Sequence, residues 1–147
     1  MRALTIRQPW AALIAHADKR IENRVWPTSY RGPLLIHAGK SIDRRAMEHP
    51  PVAAEVRRLR EKGIQLELGA VIAVAQLSGC HSPDGFCTRW SAPGQFHFEL
   101  DDDVLALPLP VPWTGRLQLW HPPAELVARI RPQLSDEQAA QLPEVSA

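Results

Sequence analysis

Hydrophobic and polar residues follow two different periods along the first third of the chain. Residues 3–6 are rich in β-branched and aliphatic side chains and predict a short strand. Residues 8–17 predict a helix, because their apolar positions recur at the i, i+3, i+4, i+7 spacing of one buried helical face. Pro9 suits the start of that helix, where a missing backbone N–H is harmless.

The pattern changes to alternation after this helix. Residues 20–25 alternate polar and apolar side chains, which predicts a half-buried strand with Ile21 and Val25 toward the core. Residues 27–32 carry turn-forming residues, and residues 34–36 are apolar throughout and predict a buried strand. A helix is predicted after Pro50 and Pro51, since Val52, Val56 and Leu59 form one apolar stripe that ends near Gly63.

The second half of the chain predicts mostly strands. Residues 69–77 are typical of a central strand, and residues 78–94 of a loop. Residues 95–100 and 104–109 flank three aspartates and predict a hairpin. Prolines at positions 108, 110 and 112 favour an edge strand, because proline cannot donate to a sheet ladder. A last helix is predicted at residues 124–130.

These elements predict one α+β domain built on a curled sheet or small β-barrel with flanking helices. The 147 residues are enough for a core without disulfides or metals. We place the domain at residues 1–132 and expect residues 133–147 to form a C-terminal tail that is partly frayed.

Composition excludes several classes of protein. No apolar run approaches the roughly 20 residues that span a bilayer, and the N-terminus lacks the continuous apolar stretch of a secretory signal. Two cysteines do not make a disulfide framework. We therefore expect a cytoplasmic protein with reduced thiols and no contact with membranes; the sequence does not indicate an oligomeric state.

Charge is distributed unevenly along a chain whose net charge is only +1. Residues 1–45 contain nine Lys or Arg and three Asp or Glu, whereas residues 64–147 contain four and ten. The basic third favours an anionic partner. The alternative is that the two halves neutralise each other across the fold, and charge alone does not decide between them.

The densest charge lies at residues 19–24, Lys-Arg-Ile-Glu-Asn-Arg. On a strand, Arg20, Glu22 and Arg24 share one face, so Glu22 would hold both guanidinium groups by charge-assisted hydrogen bonds. The alternative is a solvated row of charges, in which each pair contributes about 0–1 kcal/mol.

Metal, nucleophile and phosphate-loop chemistry receive little support from spacing. Cys80, His81, Cys87 and His97 are possible ligands, but they lack the closely spaced cysteine pair of structural zinc sites. The Gly-Lys-Ser at positions 39–41 lacks the earlier glycine of a phosphate-binding loop. We therefore expect no metal and no cofactor.

Five segments in order resemble the activating signal cointegrator homology (ASCH) domain of the PUA-like superfamily. They span residues 4–120 and read LTIRQPWAALI, KRIENR (family form Gly-x-Lys-x-x-Glu-x-Arg), YRGPLLIHAGK, WSAPGQFHFEL and TGRLQLW. The resemblance implies a PUA-like β-barrel whose helices flank a cleft for RNA or a nucleotide-like ligand. The positions that match the family motifs are Lys19, Glu22, Arg24, Tyr30, Gly32, His37, Ala38, Trp90, Gly94, His97, Gly115 and Trp120. The sequence departs from the motif at Asp18, where the family commonly has glycine.

We accordingly expect a module that binds RNA or single-stranded nucleic acid, or a nucleotide-like small molecule, through a basic cleft. Arginine and lysine suit phosphate, and exposed aromatic rings suit bases, whereas Trp10 is expected mainly in the core. The residues expected to bind nucleic acid are Arg7, Lys19, Arg20, Glu22, Arg24, Trp26, Tyr30, Arg31, His37, Lys40 and Trp90.

The alternative is a small hydrolase, since the resemblance extends to amidohydrolases of acylated cytidine and proposed ribonucleases. The amidohydrolases carry a nucleophilic threonine three positions after the motif lysine. Glu22 occupies that position here, which argues against this activity. Lys19 and Glu22 would then form an acid–base pair acting on RNA or a modified nucleoside.

Overall fold

The computed structural model describes residues 1–142 and contains seven strands and five α-helices in that range. In chain order they are β1 (Arg2–Gln8), α1 (Trp10–His16), β2 (Ile21–Arg24), β3 (Gly32–Ile42), α2 (Arg44–Glu48), α3 (Pro50–Glu61), β4 (Ala70–His81), β5 (Phe96–Leu100), β6 (Leu105–Pro112), β7 (Leu119–Trp120), α4 (Ala124–Ile130) and α5 (Asp136–Gln141). A 3₁₀ turn at Arg131–Gln133 joins the last two helices.

The strands form one mixed sheet in the order β2-β5-β4-β3-β1-β7, with β6 also paired to β4. The pair β1–β3 is parallel and the other pairs are antiparallel. The twelve-residue β4 pairs with β3 on one edge and with both β6 and β5 on the other. The predicted α+β class is confirmed.

The predicted β-barrel is not confirmed, because the sheet formed by residues 1–142 is open between its end strands β2 and β7. Closure requires the first and last strands to pair, and β7 has only two residues, both of which pair with β1. Helices cover the two faces instead. Helix α1 packs on one face through residues such as Ile14, and α4 packs on the other through Leu126 and Ile130.

Local patterns predicted most elements, but one predicted pairing was wrong. The fourth helix lies at Ala124–Ile130, as predicted, and α3 buries the predicted stripe. The strands β5 and β6 exist but do not form a hairpin, since both pair with β4. The edge position of β6 agrees with its three prolines.

The segment predicted as a tail contains the helix α5, which begins at a capping box formed by Ser135 and Gln138. Residues 143–147 lie outside the described residues, so the predicted domain boundary stays a prediction. The longest helix in residues 1–142 is the twelve-residue α3, and none of the helices there is long and apolar enough to cross a membrane.

Candidate functional site

A cleft of about 380 Å³ lies where the end of β1, the start of α1, strand β2 and the loop before β5 meet. Five of the predicted site residues line this cleft together. They are Arg7, Lys19, Glu22, Arg24 and Trp26.

Glu22 lies between two cations at the base of the cleft. Its Oε1 accepts a hydrogen bond from Lys19 Nζ at 3.0 Å, and its Oε2 accepts one from Arg24 Nη2 at 3.0 Å. Lys19 Nζ also donates to the carbonyl of Ile21, and Arg24 Nη2 donates to the carbonyl of Thr5 at 2.9 Å. The three side chains are therefore fixed as one network that joins β2 to β1.

Burial separates the roles that these charges can play. The Lys19 side chain is 1% exposed, whereas Arg24 is 23% exposed and Arg7 is 61% exposed. A ligand in the cleft can therefore reach the guanidinium groups directly. Lys19 acts on the cleft mainly by holding Glu22.

The pKa values within this network follow from burial and from the neighbouring charges. Burial lowers the pKa of Lys19, an effect that Glu22 partly offsets and Arg24 reinforces. Burial alone would raise the pKa of Glu22, but Lys19 and Arg24 outweigh it and leave that pKa below its ordinary value. Glu22 is therefore an ionised carboxylate held by two cations.

The period of β2 explains why Glu22 and Arg24 meet while Asn23 does not join them. Alternate residues of a strand share a face, so Glu22 and Arg24 project to the cleft side. Asn23 projects the other way, where its side chain donates to the carbonyl of Trp90 and accepts from the backbone N–H of Ala92, both at 2.8 Å. These two bonds attach the loop before β5 to strand β2.

Two indole rings contribute to the walls of the cleft. Trp10 lies with its ring 5.6 Å from Lys19 Nζ, and its Nε1 donates to Asp43 at 3.1 Å. Trp26 packs edge-on against Phe98, with ring centroids 5.1 Å apart, and is partly exposed. Trp10 thus packs partly against the core, as predicted, and also lines the cleft.

Arg20 lies outside the cleft, so the expected arrangement of Glu22 between Arg20 and Arg24 is not found. Strand β2 begins at Ile21, and the Arg20 guanidinium turns back to donate to the carbonyls of Ile14, Ala17 and Lys19. Arg20 therefore satisfies carbonyl groups around the end of α1. Lys19 takes the place that was expected for Arg20.

Replacing Arg20 with Gln should lower stability while leaving ligand affinity unchanged. The variant loses charged hydrogen bonds to the end of α1, which we expect to cost about 1–2 kcal/mol. Urea unfolding and a nucleic-acid titration on the same preparation measure the two effects. A loss of affinity at unchanged stability would show that Arg20 contacts the ligand.

The remaining predicted residues are distributed over other parts of the fold. Tyr30 donates to the Pro33 carbonyl at 2.7 Å, and Arg31 is exposed and bonds within the same turn. His37 is buried, and Lys40 is exposed beside Trp113 in a separate shallow depression. These positions are not brought together with the cleft.

His37 is a motif residue that is buried and contributes to packing rather than to the cleft. Its Nε2 lies 2.7 Å from the Trp113 carbonyl, and burial lowers the pKa of its imidazole. Gly115 passes so close that a Cβ there would approach within 2.7 Å of the His37 ring and 2.5 Å of Thr5 Oγ1. Glycine is required at position 115 for this close approach.

Trp90 does not line the cleft: it is buried, packs edge-on against Trp10 and is anchored by Asp18, the position that departs from the motif. The Asp18 carboxylate accepts from Trp90 Nε1 at 3.2 Å and from Arg89 at 2.9 Å. The backbone at Asp18 is not in the left-handed conformation that favours glycine, so a glycine is not needed at this position. The departure instead ties the loop carrying Trp90 to the end of α1.

Sequence reasoning missed several residues that shape the cleft, including Thr5, Asn23 and Asp43. Asn23 carried a signal, because it is the polar residue on the opposite face of β2. Asp43 caps helix α2 through the Ala46 N–H and also binds Trp10 and, at 3.5 Å, Arg7. The sequence did not indicate these contacts of Asp43, because helix α2, which Asp43 caps, was not predicted.

Comparisons with known proteins agree on one family. The model of the ASCH domain matches residues 4–100. Activating signal cointegrator 1 from Homo sapiens is 32% identical over 87 residues, covering 56% of this chain and 15% of that protein. Activating signal cointegrator 1 from Mus musculus is 34% identical over 88 residues, with the same two shares. The match thus spans less than a sixth of either relative.

Proposed function

The chain belongs to the ASCH domain family, and from this premise and the geometry of the cleft we propose that it binds RNA or another single-stranded nucleic acid. The ligand lies in the cleft that contains Lys19, Glu22 and Arg24. A nucleotide-like small molecule would bind in the same cleft, since it carries the same phosphate and base groups as one unit of the strand. We also place the protein in the cytoplasm, where both of its free cysteines would remain reduced.

The observation that carries the proposal is the fixed guanidinium of Arg24 in a cleft that two tryptophans also line. Glu22 and the Thr5 carbonyl hold Arg24 Nη2, so the side chain pays little further entropy when it binds an anion. Its Nε is buried and makes no hydrogen bond to the described residues, so a ligand meets the exposed part of the guanidinium. Trp10 and Trp26 supply flat surfaces on which a base can stack.

The charges of the cleft lining favour an anion. Arg7, Lys19 and Arg24 supply three positive charges, against the two carboxylates of Glu22 and Asp43. Glu22 pairs with Lys19 and Arg24, and Asp43 pairs with Arg7 at 3.5 Å, so one positive charge is left over in the lining. Phosphate groups fit such a surface better than an uncharged ligand does.

Titration of a labelled single-stranded RNA into the protein at low and moderate salt tests the proposal. We expect measurable affinity at low salt that falls as salt rises, with a log–log slope of about −0.7 for each phosphate contacted. A competing mononucleotide distinguishes a small ligand from a strand. Absence of binding at low salt, or binding that ignores salt, would contradict the proposal.

Hydrolysis of RNA or of an acylated nucleoside is a second candidate function, and one observation favours it. Burial lowers the pKa of Lys19, as a catalytic base requires. Its ammonium is nevertheless held by Glu22 and by the Ile21 carbonyl, which favours a positioning role.

Incubation with RNA and with N4-acetylcytidine, followed by chromatography, separates the two functions. We expect no turnover of either substrate by the wild-type protein. Turnover that disappears in the Lys19→Met variant, with its fold intact by circular dichroism, would replace binding with hydrolysis as the function.

A further inference from the structure

Three metal-ligating side chains converge on the outer face of strands β4 and β5, apart from the cleft. The ligand atoms of His81, Cys87 and Glu99 all lie within 4.8 Å of one another, and His81 Nε2 is 2.5 Å from Glu99 Oε1. They come from three separate elements, since His81 ends β4, Glu99 lies in β5 and Cys87 lies in the connecting loop.

The register of the two strands explains the convergence. His81 pairs with His97, and Gly79 pairs with Glu99, so all four positions share one face of the sheet. Cys80 pairs with Phe98 on the opposite face, where it packs against the core. The two cysteines of the chain therefore have different environments.

Gly79 gives the Glu99 carboxylate its position. A Cβ at position 79 would clash with the Glu99 carboxylate, so only glycine leaves room for this side chain to lie across β4. From there the carboxylate reaches His81. A larger residue at position 79 would move it away.

His97 orients the third ligand. Its Nε2 lies 2.9 Å from the Ala92 carbonyl, which can only accept, so that nitrogen carries the hydrogen. The Nδ1 atom is then an acceptor, and it lies 3.4 Å from Cys87 Sγ. This contact directs the thiol toward the side of the sheet that carries His81 and Glu99.

We propose that His81, Cys87 and Glu99 bind a divalent transition-metal ion of the zinc class. Imidazole nitrogen, thiolate sulfur and carboxylate oxygen are the ligands that Zn²⁺ takes, at about 2.0–2.3 Å. In a tetrahedral site with such bonds, the ligand atoms lie roughly 3.3–3.8 Å apart, so His81 and Glu99 move apart slightly and side-chain shifts of about 1 Å complete the set. A water molecule occupies the fourth position, and the Cys87 proton leaves to solvent on binding.

The site departs from the expectation drawn from spacing. That expectation considered ligand pairs close in sequence, whereas the fold joins residues 81, 87 and 99 across a strand pair and a loop. The same loop supplies Ala92 and Gln95 to the lining of the cleft. A bound ion would therefore tie this loop to the sheet and restrain one wall of the cleft.

Titration of Co²⁺ into the reduced, untagged full chain tests the site, because cobalt bound to a thiolate gives an intense charge-transfer absorption in the near ultraviolet. We expect this band in the wild-type protein, with competition by Zn²⁺. Cys87→Ala should abolish it, and the matched change Cys80→Ala should retain it. His81→Ala and Glu99→Gln should each weaken cobalt affinity at least tenfold.

Circular dichroism confirms that each variant is folded before titration. Cys87 is exposed, so its replacement leaves the core intact. If Cys87→Ala nevertheless failed to fold, His81→Ala and Glu99→Gln would decide the matter. No band in the wild type, a band that survives Cys87→Ala, or unchanged affinity in both other variants would overturn the proposal.

Discussion

Replacing Glu22 with Gln should destabilise the protein by about 3–5 kcal/mol at pH 7, the usual cost of removing one partner from a buried ion pair. Glu22 is the carboxylate that Lys19 contacts at 3.0 Å, and the Lys19 side chain is 1% exposed. The amide oxygen of the introduced glutamine can still accept a hydrogen bond from Lys19, but the negative charge that offsets the buried ammonium is removed. Urea unfolding at neutral pH measures this loss.

The same variant should recover stability as pH rises. Burial already lowers the pKa of Lys19, and the loss of Glu22 removes the charge that raises it. The unfolded chain titrates this lysine near its ordinary pKa of about 10.4. Between the two pKa values the unfolded state binds more protons, so the stability of the variant increases with pH. The destabilisation should be smaller at about pH 9.5 than at pH 7.

Two further variants identify the cause of the loss. Glu61→Gln changes an exposed glutamate at the end of α3 and should alter stability by less than about 0.5 kcal/mol. The double variant Lys19→Met, Glu22→Gln removes the buried cation and should be more stable at pH 7 than Glu22→Gln alone. A loss that is independent of pH and unchanged in the double variant would contradict the electrostatic explanation.

Replacing Arg24 with Gln should weaken binding of single-stranded RNA at least tenfold. A charged hydrogen bond contributes about 1.5–3 kcal/mol, and a factor of ten corresponds to about 1.4 kcal/mol. The variant should also show a less steep dependence of affinity on salt, with a slope smaller by about 0.7 for a lost phosphate contact. Titrations at three salt concentrations measure both quantities.

Arg57 provides the matched control for Arg24. It is exposed on α3 and does not line the cleft, so Arg57→Gln removes the same charge from a different surface. We expect its affinity and salt slope to stay close to those of the wild type. An equal loss in both variants would mean that binding follows overall charge rather than the cleft, and a loss in neither would leave Arg24 without the proposed role.

Helices and strands with a clear period were predictable because their burial depends on local spacing. Ala124–Ile130 buries one face, whereas Trp10–His16 is buried between two clusters of the core, and each helix appears where its pattern placed it. The pairing of β5 and β6 was not predictable in this way. The short acidic segment between them suggested a hairpin, yet both strands bond to β4, whose partners lie far away in sequence.

The position of a side chain relative to the start of its strand explains the errors in the site. Alternation placed Arg20 with Glu22, but β2 begins one residue later and Arg20 caps the preceding helix. Val25 was expected toward the core and is 79% exposed, since the strand ends before it. Lys19 Nζ lies 5.6 Å from the Trp10 ring, a contact between α1 and the segment after it that alternation along β2 does not encode.

In residues 1–142, the open sheet leaves three strand edges, and each carries a feature that opposes pairing with another copy of the chain. Strand β2 has four residues and carries the charges of Glu22 and Arg24, and β7 has only two residues. Along β6, Gln133 bonds both the N–H and the carbonyl of Leu109, each at 2.8 Å. Short strands, charged side chains and occupied backbone groups all oppose edge-to-edge aggregation. The ion-paired residues of the cleft therefore also oppose strand pairing at the β2 edge of the sheet. A variant that neutralises them is expected to self-associate more readily.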